Sequence, residues 1–285
     1  MTTPRPDLSA STVVVPAPGA GDGYWAGAPS STPDGQGGVA LAYRVRVGHD
    51  GSDRNVLAHS PDGVRFETLA ELPSSRFGAR WVERPTLLRT PAGRWRLYVC
   101  CASPTDPSWW VEALEADDLA GLASAESRVV MPATAEAAYK DPVVVVDEHG
   151  WRAWVCTHLL DEPGEEDRMR TDLATSDDGL AWTWQGPALE GRPGEWDARG
   201  ARITAVLPDG TVLYDGRASA QENWFERSGV AVARDGGLRA EPRSEPLDVR
   251  YVDVLPLTDG GYRLYWEQRL PDLSHELRTS LAPAP

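Results

Sequence analysis

Four short acidic turns recur at nearly even spacing, and this limits the fold more than any other feature of the chain. They are Ser60-Pro61-Asp62-Gly63, Ala116-Asp117-Asp118-Leu119, Ser176-Asp177-Asp178-Gly179 and Ala233-Arg234-Asp235-Gly236. The aspartates Asp62, Asp118, Asp178 and Asp235 lie 56, 60 and 57 residues apart. A second marker runs in phase: Pro29, Pro85 and Pro142 each open an apolar run, at intervals of 56 and 57. A period near 57 divides the 285 residues into five units. Self-similarity at such a period means one supersecondary unit packed against copies of itself.

The order inside each unit is constant. An apolar run such as Pro142-Val143-Val144-Val145-Val146 meets a turn, Asp147-Glu148-His149-Gly150, and then a second run, Trp151 to His158. Matching turns are Thr90 to Gly93, Pro208-Asp209-Gly210 and Thr258 to Gly261. Gly and Asp supply the positive φ that tight hairpins require. The second runs, Arg94 to Val99 and Tyr262 to Trp266, alternate or are continuously apolar and carry no helical stripe. One short helix is expected near Asp117 to Ser124. Units of three or four strands at this period read as propeller blades. The expected fold is all-β: a single domain over 1–285, a five-bladed β-propeller. The last unit lacks a strand after His275 to Leu281, and Ser11 to Val15 at the N-terminus can supply it and close the ring.

Charge narrows the partners. The net charge of −15 repels phosphate backbones and anionic lipid, so neither nucleic acid nor a membrane is an expected partner. No run approaches 18 apolar residues. Residues 1–18 lack a basic segment followed by an apolar one, so no secretory signal is expected there. Cys100, Cys101 and Cys156 lie in apolar runs without metal or disulfide spacing, which fits buried thiols in a reducing cytoplasm.

Several phrases resemble the five-bladed propeller glycosidases, glycoside hydrolase families 43 and 32. Ser176-Asp177-Asp178-Gly179-Leu180-Ala181-Trp182 looks like the Ser-x-Asp-Gly-x-x-Trp turn of sugar-processing propellers. Lys140-Asp141-Pro142 looks like the Asp-Pro opening of a family 43 innermost strand, where the resemblance implies an aspartate that holds and tunes the general acid. Trp25-Ala26-Gly27-Ala28-Pro29 looks like the Trp-x-Asn-Asp-Pro phrase that carries the family 32 nucleophile, and family 43 puts its general base at the same place. Here that position is Ala28, which can neither attack an anomeric carbon nor activate water. The resemblance implies a carbohydrate-active, glycoside hydrolase-like enzyme acting on a small saccharide or glycoside. The alternatives are a catalytically silent sugar-binding propeller and a lyase or cyclase of specialised metabolism on the same fold.

Glycoside cleavage usually needs two carboxyl groups. Innermost strands point side chains into the channel, so unit starts are the natural source. Glu83, Asp141 and Asp197 are the candidate catalytic groups, expected to converge on one opening, with Glu195 as the alternative to Asp197. Three carboxylates so placed repel, so one should have a raised pKa, while arginines keep another ionised. Arg84, Arg202 and Arg250 are candidate substrate clamps, suited to a carboxylate or phosphate if the substrate carries one. By resemblance, Asp215 and Glu267 end second strands where relatives keep sugar-binding groups. Ordinary ion pairing and turn capping are the competing readings for all of them. Twelve Trp exceed what the core needs. Trp25 and Trp110 are candidate stacking faces, with Trp109, Trp196 and Trp224 also in loops or at a unit start. Trp95, Trp151, Trp154 and Trp182 read as packing. No nucleotide, zinc or serine-hydrolase motif is present, so no cofactor and no metal are expected.

Overall fold

A computed structural model describes residues 3–50, 53–234, 237–241 and 245–283. After β1 (Thr12–Val15) the chain forms successive antiparallel meanders. The first is β2 (Tyr24–Pro33), β3 (Val39–Val47), β4 (Arg54–Ser60) and β5 (Glu67–Pro73). The second is β6 (Thr86–Arg89), β7 (Trp95–Ala102), β8 (Trp109–Ala116) and β9 (Ser127–Met131). The third is β10 (Ala137–Asp147), β11 (Gly150–Leu159), β12 (Met169–Ser176) and β13 (Thr183–Leu189). The fourth is β14 (Gly200–Val206), β15 (Val212–Arg217), β16 (Arg227–Arg234) and β17 (Gly237–Ala240). The last three strands are β18 (Arg250–Pro256), β19 (Tyr262–Arg269) and β20 (His275–Ala282). Their fourth partner is β1, antiparallel to β20 with Thr12 opposite Thr279 and Val15 opposite Leu277. Single parallel bridges, Met169 to Gly200 and Trp25 to His275, join neighbouring meanders.

The repeated turns have a common construction. In both Ser60–Gly63 and Ser176–Gly179 the serine Oγ accepts the glycine N–H at 2.9 Å. The aspartate Oδ1 then accepts two further backbone N–H groups, at 2.9 Å from Asp62 and at 2.8 and 2.9 Å from Asp178. Gly63 and Gly179 adopt φ of +70° and +71°, which other residues rarely do. Each glycine carbonyl also receives a tyrosine from another meander: Tyr265 to Gly63 at 2.8 Å and Tyr98 to Gly179 at 2.7 Å. The turn is thus a joint between units as well as a hairpin end, which is why it recurs in phase. The fourth copy, at Asp235-Gly236, lies outside the described residues.

Packing follows the alternation of the strands. Leu57, Leu72, Val82, Leu97 and Val99 bury one interface between the first two meanders. Trp95, Trp151 and Trp154 are buried, and Trp182 packs half-buried against the cluster around Trp151. All three cysteines are free and buried. The helix expected near Asp117–Ser124 is only a 3-10 turn at Ala120–Ala123. Asp118 holds the Gly121 N–H at 2.7 Å, and Gly121 mid-segment disfavours a longer helix. No helix among the described residues is long and apolar enough to cross a membrane.

The N-terminal segment is tied to β20 by more than its strand, since Ser280 Oγ accepts the Asp7 N–H and Arg278 donates to Ser11 Oγ. Removing residues 3–15 strips the partner from β20 and should lower Tm by about 5–10 °C, measured by scanning fluorimetry. An unchanged Tm would mean that this pairing contributes nothing to stability.

Candidate active site

The first strands of three meanders share an irregularity. Register breaks between Gly27 and Ser30 in β2, between Lys140 and Val143 in β10, and between Arg250 and Asp253 in β18. At each break one non-glycine residue is left-handed: Ala28 at φ 51°, Asp141 at 49° and Tyr251 at 53°. Such a residue costs about 1–3 kcal/mol and re-aims its side chain relative to a regular strand. Asp141 is held there from both sides. Its N–H donates to Cys100 Sγ at 2.9 Å, and its Oδ1 accepts the Arg84 N–H at 3.2 Å.

The side chains of Asp141 and Tyr251 meet in a buried charge network. The Tyr251 hydroxyl lies 3.3 Å from Asp141 Oδ2 and 3.5 Å from Glu83 Oε2, and Arg202 Nη1 donates to it at 2.8 Å. Those two carboxylate oxygens are therefore no more than about 7 Å apart. Glu83 is further bonded to Arg44 and, at 3.1 Å, to Arg46. Arg202 also donates to Asp141 at 3.1 Å and to Asp215 at 2.8 Å. Arg250 bridges Glu267 and Glu226, and Glu226 in turn accepts from Arg217 at 2.6 Å. The guanidinium groups of Arg44, Arg202 and Arg250 stand 5.8, 3.8 and 5.4 Å from the centre of the Tyr251 ring.

These neighbours set the protonation states. Burial pushes the Glu83 carboxyl up, but Arg44, Lys140, Arg46 and Arg250 outweigh it and hold the group well below the usual carboxylate range. Glu226 and Glu267 are lowered in the same way, against burial, by Arg250 and the other nearby arginines. Asp215 is raised by burial despite Arg202. Burial also raises Tyr251. His158 is pushed down to about 3 by burial and by Lys140, with Arg217 and Arg202 adding to it.

Glu83, Asp141, Arg202, Asp215, Arg250 and Glu267 thus come together. Asp197 has other partners: its oxygens take Arg192 Nε at 3.0 and 3.1 Å and the Tyr214 hydroxyl at 2.8 Å. Arg84 braces two strands instead, donating to the Pro29 carbonyl at 3.0 Å and to Asp253 at 3.2 Å. Trp25, only 1 % exposed, stacks on His275 at 4.9 Å. Trp110 gives its indole N–H to Glu112 at 2.9 Å and packs against the core between the first two meanders. Trp196 stacks on Tyr214. The aromatic ring at the site is Trp224, which is 39 % exposed, lies 5.6 Å from Trp25 and helps line a cavity of about 30 Å³. That volume admits one or two waters. Sequence reasoning missed Tyr251, Arg44, Arg217 and Glu226 as site residues. Tyr251 had a signal, because it opens a first strand two repeats after Asp141. Among the described residues no group of three His, Cys, Asp or Glu is placed to hold a metal ion.

No protein-family model and no curated protein matches the chain. Solved structures do. A thermostable family-43 glycoside hydrolase is 14% identical, with a TM-score of 0.68 over 95% of this chain and 92% of its own. The β-1,2-mannobiose phosphorylase of Listeria innocua, in complex with β-1,2-mannobiose, is 15% identical at a TM-score of 0.63 over 97% and 92%. A structure from the GH130 family of mannoside phosphorylases, which contains glycoside hydrolases that target β-1,2 mannosidic linkages in Candida mannan, is 15% identical at 0.60 over 99% and 98%. At these identities the likeness is one of fold. The chain has the all-β, propeller-like architecture of glycoside hydrolase-type enzymes.

The depressed pKa of His158 gives a pH test. The ring is neutral in the folded chain down to about 3, whereas the unfolded chain protonates it near its ordinary 6.5. The unfolded state therefore binds more protons between those values, and stability falls as pH drops through that window. His275, also lowered by burial against the pull of Glu267, acts in the same direction. The three lowered glutamates add to the loss only below about 4.5. The two histidines should therefore lower denaturant midpoints between pH 6.5 and 4.5, opposed by Asp53, Asp215 and Asp253, whose carboxyls burial raises. His158→Asn, which can keep a donor toward the Glu166 carbonyl, should lessen that slope. An unaltered slope would mean that His158 titrates normally.

Proposed function

We propose that the chain is a single five-bladed β-propeller over residues 1–285, closed by β1, whose central cavity acts on a glycosidic bond of a small saccharide or glycoside. The five in-phase units, the β1–β20 pairing and the likeness in fold to glycoside hydrolases and a phosphorylase support the architecture. The observation that carries the activity is the meeting of Glu83 and Asp141 over the Tyr251 hydroxyl, within about 7 Å of each other. Glycosidases use carboxyl pairs roughly 5–9.5 Å apart, and the upper limit here keeps Glu83 and Asp141 within reach of one glycosidic bond. Glu83, held ionised by arginines, serves as the base or nucleophile in place of the aspartate missing at Ala28. Asp141 is the second carboxyl of the pair; bonded to Arg202 and Tyr251, it holds and tunes the group that protonates the leaving oxygen, as the resemblance to family 43 implies. Tyr251 orients both, and Arg202, Arg250, Asp215 and Glu267 hold the polar frame. Asp197 is left out of the chemistry because its partners, Arg192 and Tyr214, stand outside the network that joins Glu83, Asp141 and Tyr251. The net charge argues against nucleic acid as partner, and buried free thiols are in keeping with a cytoplasmic site.

A silent sugar-binding propeller is the second reading. It is favoured by Ala28 and by the pairing of each cavity carboxylate with arginine. A panel of aryl furanosides and pyranosides separates the two. Turnover that falls at least about 100-fold in both Asp141→Asn and Glu83→Gln, with Tyr251→Phe also impaired, supports the enzyme. Activity unaffected by both carboxylate substitutions refutes this site, and binding without turnover gives the silent module.

A further inference from the structure

The cavity beneath Trp224 has more hydrogen-bond donors than acceptors to meet them. Arg44, Arg202 and Arg217 all line it. Their Nη groups are taken by carboxylates, Glu267, Asp215 and Glu226 among them, yet the Nε–H of each is buried without a partner. A buried unmet donor costs about 1–3 kcal/mol, and all three belong to side chains that surround one small space. Lys140 lines the same space with a side chain only 9 % exposed. Its ammonium has an ion-pair contact at 3.6 Å to Asp141 and the Trp109 ring at 4.4 Å, both too long to be hydrogen bonds. Of the cavity's ionised side chains, Arg44, Lys140, Arg202, Arg217 and Arg250 face two carboxylates, Glu83 and Glu226. His158 is pushed down first by burial and then by Lys140, Arg217 and Arg202.

From this geometry we infer that the cavity binds the carboxylate of an acidic sugar, a uronic acid or uronide. The inference rests on the carbohydrate reading above and adds the substrate class. Asp141, Asp215 and Glu267 already neutralise much of the arginine charge from behind. That balance suits the single charge of a carboxylate better than the double charge of a phosphate. A carboxylate entering this space meets the Lys140 ammonium, and the arginines lining it add to the attraction. His158 donates its Nδ1–H to the Glu166 carbonyl at 2.8 Å, which leaves neutral Nε2 as an acceptor for a sugar hydroxyl. At about 30 Å³ the space holds the carboxylate and not the ring. The ring lies outward, where Trp224 offers an exposed face.

Calorimetry on the whole chain tests this with D-glucuronate and D-galacturonate, D-glucose as the neutral control, and acetate and inorganic phosphate as bare anions. At least one uronate should bind ten or more times tighter than glucose and tighter than either bare anion, and Lys140→Met should weaken it at least tenfold. Three outcomes overturn the inference: no saturable uronate binding, glucose equal to the uronates, or phosphate tighter than both. The wild-type comparison stands even if Lys140→Met does not fold. Uronate binding without glycoside turnover would sink the enzyme reading and leave this inference intact. Turnover of neutral glycosides with no preference for uronides would do the reverse.

Discussion

Burial of arginine is the constraint on which the interior of this protein depends. A guanidinium group does not release its proton under ordinary conditions, so each arginine taken from water must bring carboxylates with it. Arg44, Arg202, Arg217 and Arg250 are each nearly inaccessible, and each holds at least one buried carboxylate drawn from a strand of another meander or from its own neighbour. Removing one member leaves a buried charge uncompensated, which costs about 3–5 kcal/mol. The network fixes how first and second strands from different units face the centre. It also explains why few carboxylates there can act as acids: arginine holds Glu83, Glu226 and Glu267 ionised.

The bulges add a second constraint. Ala28 keeps the left-handed backbone of Asp141 and Tyr251 although it has no functional group to aim. Its strain is therefore maintained by the strand architecture and by neighbours such as Glu267, which fills the space beside Gly27 where a Cβ would stand 2.2 Å from its Oε2. The conformation of the site and the chemistry at each of its positions are thus separable. One can be kept while the other changes.

Much of the fold was legible because its cause is local and repeated. Ser60-Pro61-Asp62-Gly63 and Ser176-Asp177-Asp178-Gly179 are self-contained hydrogen-bonded turns, and their period marks the meanders. The helix near Asp117 was not, because a single 3-10 turn leaves too short a trace to distinguish from a loop. Glu83, Asp141 and Arg202 could be picked out because they lie in or just before first strands. Asp197 stands three residues before its strand, as Glu83 does, but it is captured by Arg192 and Tyr214. Arg44 and Arg217 lie in second strands, and their pairing with Glu267 and Glu226 joins residues 223 and 9 positions apart. No pattern within one repeat encodes the first of these. The loop residue Trp224 carries no spacing signal at all.

The pairing of β1 with β20 has a consequence for how the chain comes together. Thr12 and Thr279 are neighbours in space but lie at opposite ends of the sequence, and Arg44 must likewise await Glu267. Contacts across such separations form late, because the entropy of closing so long a loop is lost before any contact compensates it. While the chain is still being synthesised, the first unit lacks its sheet partner, and Arg44 has Glu83 but not yet Glu267. The charge centre is therefore complete only once the last strand exists, and a prematurely ended chain retains meanders but no site.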